Sequence, residues 1–295
     1  HFPGIGSYTI ELADSNFCGV ASTSLTIQIV PPPVAQIAVS ADTVCVGESV
    51  TFYQQASGGG NLYRWTFGNN NAWYTTGSGN ITYLYNTPGT YHVGSMVGVV
   101  GSDGCSDTAW VDVVVLANPL VAINANQTEG CDQLQVDFTA VTPNAASWSW
   151  AFDNGSPAFN GIDPPLVNYT QPGVYQVSLT VENAYGCSAS DDITIRVYES
   201  PQVDFNVFNL CEGETAQLTD LTVSGNNDDI TDWAWDFGDG GNSNDQNPTY
   251  AYPATGTFLV QLFITTEHCQ GNDTATVIVQ DAPSASFTTD VNEGC

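Results

Sequence analysis

Positive charge is almost missing from this chain. Among 295 residues only Arg64 and Arg196 are strong cations, against 31 Asp+Glu, and the formal net charge is −29. Nucleic acid and anionic membranes are thereby excluded as partners, because both need clustered basic side chains to neutralise phosphates. The excess of negative charge keeps copies apart and draws cations. Long apolar runs are missing as well, and no stretch approaches the ~20 residues of a membrane span. So is any sustained helical period. Signatures of catalysis are equally scarce: there is no GxSxG, no phosphate loop and no His–carboxylate spacing. Carboxylate pairs of the kind used in glycoside hydrolysis are not shared between the copies described below. The three histidines, His1, His92 and His268, show no ligand spacing and argue against zinc. No enzyme is expected here, and no cofactor beyond a candidate Ca²⁺. Only 11% of residues are charged, so the surface must be built from Asn, Gln, Ser, Thr and Gly, unlike a disordered acidic tail.

What the chain does have is repetition. An aromatic–Gly–aromatic triplet returns as Phe2–Gly6–Tyr8, Tyr85–Gly89–Tyr91, Tyr169–Gly173–Tyr175 and Tyr252–Gly256–Phe258, about every 83 residues. Prolines keep the same beat at Pro33, Pro119, Pro201 and Pro283. A Trp-x-Phe element follows at Trp65–Phe67, Trp150–Phe152 and Trp235–Phe237. A constant period means one folding unit copied in tandem. The expected domains are 31–116, 117–198 and 199–281, with 1–30 completing a preceding copy and 282–295 opening a following one. Tandem copying builds length, valency or stiffness, whereas a catalytic centre is normally unique.

Within each copy the dominant period is two. Tyr175, Val177, Leu179 and Val181 fall on one strand face, with Gln176, Ser178 and Thr180 on the other. Several such strands per ~83 residues, separated by turn residues, predict an all-β, immunoglobulin-like antiparallel sandwich. Trp65, Trp150 and Trp235 should occupy its core. Tyr91, Tyr175 and Phe258 resemble a tyrosine corner, and Phe258 lacks the hydroxyl to complete one. Eight cysteines, none in a CxxC pair, predict disulfides and an oxidising compartment.

Trp235-Asp-Phe-Gly-Asp-Gly240, followed by Pro248-Thr-Tyr-Ala-Tyr252 and Gly256-Thr-Phe258, resembles the signature of the polycystic-kidney-disease (PKD) domain. The first two copies carry weaker versions, Trp65-Thr-Phe-Gly-Asn-Asn70 and Trp150-Ala-Phe-Asp-Asn-Gly155. This resemblance implies an immunoglobulin-like sandwich. Tandem copies with regularly placed cysteines resemble giant surface adhesins of gliding Gram-negative bacteria, exported through the outer membrane. The implied function is a non-catalytic stalk giving reach and stiffness for adhesion or gliding. The partners would be neighbouring repeats and a surface polysaccharide or solid surface. Two other functions fit the same residues: a carbohydrate-binding array of a secreted hydrolase, and a self-assembling filament subunit.

In that topology Cys45, Cys131, Cys211 and Cys295 precede the second strand, and Cys18, Cys105, Cys187 and Cys269 open the last. Two pairings remain open. Within a repeat they would be Cys45–Cys105, Cys131–Cys187 and Cys211–Cys269. The two turns lie at opposite poles of such a sandwich, about 20 Å apart, so pairing across repeats is preferred, as Cys45–Cys187 and Cys131–Cys269.

Five further features invite a ligand or a modification. Asp236, Asp239 and Asp245, with Asn242 and Asn244, make an oxygen-rich stretch for Ca²⁺ or else a set of turn caps. Calcium at a junction could also use Asp204 or Glu199. Asp228, Asp229 and Asp232 read as a solvated acidic loop. Trp73 and Tyr74, in a polar loop unique to the first repeat, offer a stacking surface for a sugar or pack beneath the loop. Thr43, Thr108 and Thr274 follow aspartate as in the O-glycosylation acceptors of the bacterial group that the chain resembles.

Overall fold

The computed structural model describes residues 2–58, 60, 62–70, 72–77, 79–99, 105–226 and 228–288, and all regular structure in them is β-strand. The same parts recur three times. A long hairpin closes each repeat: Gly89–Gly98 with Ser106–Leu116, Gly173–Glu182 with Ser188–Tyr198, and Gly256–Thr266 with Gln270–Gln280. The tryptophan strand lies beside the first arm of the hairpin, as Leu62–Thr66, Ser147–Ala151 and Ile230–Asp236. A short strand ending in cysteine pairs in parallel with the second arm, as Thr43–Cys45, Glu129–Cys131 and Leu210–Cys211. A second layer is formed in the first repeat by Ile37–Val39, Ser49–Gln54 and Asn80–Leu84. In the other repeats this layer is split into short two-stranded pairs.

Alternation explains the core. Val177, Leu179 and Val181 are fully buried, and Val260, Leu262 and Ile264 match them in the third repeat. Trp65, Trp150 and Trp235 are buried as well. Trp235 sits among Phe205, Leu218, Phe237 and Leu262, and Trp65 lies 5.8 Å from the Phe52 ring. Each indole removes a large apolar area from water, which matters on a fold whose small size limits the fraction of surface it can bury.

The turn after each Trp-x-Phe demands a left-handed residue. Gly68 and Gly238 meet this with φ of 76° and 84°, and a Cβ on Gly238 would stand 2.5 Å from the Leu259 carbonyl oxygen. The second repeat places Asp153 there at φ 55°. Aspartate tolerates that region better than most residues, and its Oδ2 accepts from the Gln176 N–H at 3.2 Å.

The two aromatics of each triplet have separate tasks. Tyr91 and Tyr175 donate to the carbonyls four residues upstream, Thr87 and Gln171, at 2.8 and 2.7 Å. Phe258 cannot. The earlier tyrosine instead reaches back to the Trp-x-Phe element: Tyr85, Tyr169 and Tyr252 donate to the carbonyls of Phe67, Phe152 and Phe237 at 3.5, 3.4 and 3.3 Å. Burial raises the pKa of all three hydroxyls, that of Tyr252 to about 12.

Two compact units contain these parts. One holds the chain up to Pro119 together with Glu182–Ala189, and the other holds Leu120–Val181 and the chain from Ser190 onward. Ahead of the first repeat, Gly6–Asn16 and Gly19–Ile29 form an antiparallel hairpin in unbroken register, paired with no other strand among the described residues.

Candidate functional site

Cysteine chemistry is the feature that recurs. Cys45 is bonded to Cys187 and Cys131 to Cys269, with Cα–Cα distances of 5.5 and 6.0 Å. The alternative pairs Cys45–Cys105, Cys131–Cys187 and Cys211–Cys269 are not formed, and Cys18, Cys105 and Cys211 are free and exposed. Strand register explains why. Cys45 lies opposite Leu116, at the far end of the strand that Cys105 precedes. A strand of about eleven residues holds the two about 35 Å apart, and the same register separates Cys131 from Cys187 and Cys211 from Cys269. Each bond therefore ties the short parallel strand of one repeat to the hairpin turn of the next. The two closed loops overlap, since Cys131 falls inside the first and Cys187 inside the second. Cys295 lies outside the described residues.

The other candidates are placed as follows. Tyr74 is in a short strand, Tyr74–Thr76, and accepts from Asn70 at 3.0 Å. Trp73 meets Trp110 edge-on at 5.7 Å, and Trp110 stacks on His92 at 4.6 Å. His92 Nδ1 is 2.6 Å from Asp112 Oδ1. Trp110 escapes a reading by local motif because it lies across the hairpin from Gly94. There it fills the space a Cβ would need, 2.7 Å from its ring. An outward Trp opposite a Gly was the available signal.

Asp236, Asp239 and Asp245 act on their own turns. Asp236 accepts from the Gly238 N–H and Asp239 from the Gly241 N–H, at 2.9 and 3.0 Å, while Tyr250 donates to Asp239 at 2.9 Å. The Asp245 carbonyl accepts from the Trp235 indole at 2.9 Å. The three carboxylates do not converge as a metal-ligand cluster. Glu199 accepts from the Asn226 amide at 3.0 Å. Thr43 and Thr274 are exposed and Thr108 half-buried.

The acidic-loop reading needs correction at Asp228. Asp229 and Asp232 are exposed, but Asp228 has no exposed surface. It accepts from the Thr266 hydroxyl, from the His268 N–H at 3.0 Å, and pairs with His268 Nδ1 at 2.9 Å. Burial pushes its carboxyl up, but the bonds from Thr266 and His268 outweigh it, so the pKa is lowered. His268 stacks on Tyr198 at 3.8 Å. Two clefts flank that stack. One of about 580 Å³ is lined by Arg196, Asn226 and Gly173, and one of about 290 Å³ by Glu129, Glu267 and Cys131. Sequence spacing hid this cluster, because strand pairing joins positions about forty residues apart.

A family model described as the PKD domain matches residues 30–115, 116–197 and 198–280. The PKD1 domain of Vibrio anguillarum Epp is 22% identical, covering 29% of this chain and 99% of that one, with a TM-score of 0.27. The PKD1 domain of the Vibrio cholerae metalloprotease PrtV is 26% identical over 28% of this chain and 98% of that one, with a TM-score of 0.25. The eight N-terminal Ig domains of Down Syndrome Cell Adhesion Molecule align with 95% of this chain and 40% of their own, at 11% identity and a TM-score of 0.50, which is a likeness of fold. Tandem domains of this kind are generally non-catalytic and typical of extracellular structural or adhesion segments. No helix among the described residues is long and apolar enough to cross a membrane. Three consecutive matches span most of the sequence, and the chain belongs to the PKD domain family.

Proposed function

We propose that this chain is a load-bearing spacer in a large, secreted surface protein, setting the reach of an adhesive or gliding apparatus on a Gram-negative cell. The observation that carries the reading is the overlap of the two disulfide loops. Pulled from its ends, an unfolded chain takes the shortest covalent route. From Cys45 to Cys269 that route crosses to Cys187, returns to Cys131 and crosses again. Only about 56 residues, near 190 Å when extended, then separate the two ends. The reduced chain would release about 224 residues, near 770 Å. Such a tether yields little length even after its domains unfold. Acidic surfaces that repel one another suit the same task.

Single-molecule extension of the oxidised and reduced protein tests this. The oxidised segment between Cys45 and Cys269 should reach about a quarter of the extended length that the reduced one does. Equal lengths would remove the mechanical role. A second reading, binding of a surface polysaccharide, is favoured by the exposed Trp73, Trp110 and His92 cluster. Saturable polysaccharide binding that is lost in Trp73→Ala would support it.

A further inference from the structure

The strongest unassigned chemistry lies beside the Cys131–Cys269 bond. A carboxylate is buried in proteins only when it is paired, hydrogen-bonded or metal-bound. Asp228 is buried without help from either arginine, since no Arg ion pair reaches it among the described residues. Its companions are Thr266 and His268. One oxygen of Asp228, one of Glu267 and a ring nitrogen of His268 all lie within 4.8 Å of one another. The 2.9 Å between Asp228 Oδ1 and His268 Nδ1 is a hydrogen-bond distance, so an ion would take the place of the proton between them and draw the two atoms slightly apart.

Two independent features support a ligand here. Stacking on Tyr198 fixes the imidazole plane, as groups around bound metals commonly do for a ligating histidine. The 290 Å³ cleft opens on Glu267 and His268 and brings Glu129 of the second repeat to its wall. Cations are favoured on a chain of net charge −29. Corresponding positions of the second repeat read Tyr185-Gly186-Cys187 and offer no such ligands.

We propose that Asp228, Glu267 and His268 bind a divalent first-row transition ion, with zinc as the representative case. An imidazole nitrogen among carboxylates favours this class over calcium or magnesium, which take oxygen ligands. Binding takes the Nδ1 lone pair of His268, so a proton on Nδ1 moves to Nε2 if the ring is neutral and to solvent if it is charged. The ion then fastens the hairpin turn to the loop carrying Asp228, next to the disulfide that joins the second and third repeats. This goes beyond the spacer reading and does not depend on it.

The test is calorimetric titration of the chelator-stripped, fully oxidised chain with zinc chloride in about 0.15 M salt, which screens diffuse binding to surface charge. The expected result is saturable binding at one site, weakened at least about tenfold in both Glu267→Gln and His268→Gln and not competed by equimolar calcium. Glu267 is exposed, so its variant should fold as the parent does, which circular dichroism checks. Absence of saturable binding, or unchanged affinity in the two variants, would overturn the proposal and leave Asp228 as a hydrogen-bonded buttress of the turn.

Discussion

The hairpin at residues 6–29 and the one at residues 256–280 are built alike and covered differently. Both pair eleven-residue strands across a short turn. In the third repeat Val260, Leu262 and Ile264 are buried under the second layer, whereas Ile10 and Leu12 in the first hairpin are 47% and 69% exposed. Local bonds form in the first hairpin regardless, and Tyr8 donates to the Gly4 carbonyl at 3.0 Å as Tyr91 and Tyr175 do to theirs. Pairing and corner are therefore local properties of the sequence. Burial is not, because the tryptophan strand and the opposite layer must supply it from elsewhere in the repeat.

Substitution on the covered and the uncovered side should expose that difference most strongly. Trp235→Ala removes the largest buried side chain of the third repeat and should destabilise it by about 3–5 kcal/mol. Leu12→Ala, on the uncovered hairpin, should change global stability by less than about 0.5 kcal/mol. Denaturant unfolding followed by circular dichroism measures both. A large loss from Leu12→Ala would mean that the first hairpin shares a core after all.

Alkali separates the same regions through the buried tyrosines. In a folded repeat the Tyr252 hydroxyl has its pKa raised by burial and by Asp239 and Tyr250, to about 12, and an unfolded tyrosine titrates near 10. The folded value is the higher one, so the contribution of this group is complete below pH 10. It is lost as pH rises from there through about 12, by about 1.4 kcal/mol per unit. Tyr85 and Tyr169 act in the same direction in their repeats. Melting of Tyr252→Phe from pH 9 to 11 should show a shallower decline than the parent. An identical decline would place the sensitivity elsewhere.

Periodicity made the architecture legible. The triplet and the Trp-x-Phe element recur because every sandwich needs the same indole and the same corner, and those demands act through neighbours along the chain. Alternation in Tyr175–Val181 gave the buried face for the same reason. Asp228 was misread because its environment is made by Thr266 and His268, which strand pairing delivers from about forty residues away. Trp110 and Gly94 likewise meet only across a hairpin. Pairing of the cysteines became definite once register placed Cys45 beside Leu116, a relation that no spacing rule contains.

The smallest expected effect concerns the corner hydroxyls. Tyr91→Phe removes the bond to the Thr87 carbonyl and gives the first repeat the chemistry that the third already has at Phe258. A single hydrogen bond of this kind contributes about 1 kcal/mol, so the first repeat should lose about that much. Tyr8→Phe deletes the equivalent bond from the uncovered hairpin and should leave the unfolding midpoint unchanged, while amide exchange near Gly4 quickens. The introduced hydroxyl of Phe258→Tyr has the Ala254 carbonyl as its counterpart acceptor, four residues upstream. If all three variants melt alike, the corner bond is an accompaniment of the turn and contributes nothing measurable to holding it.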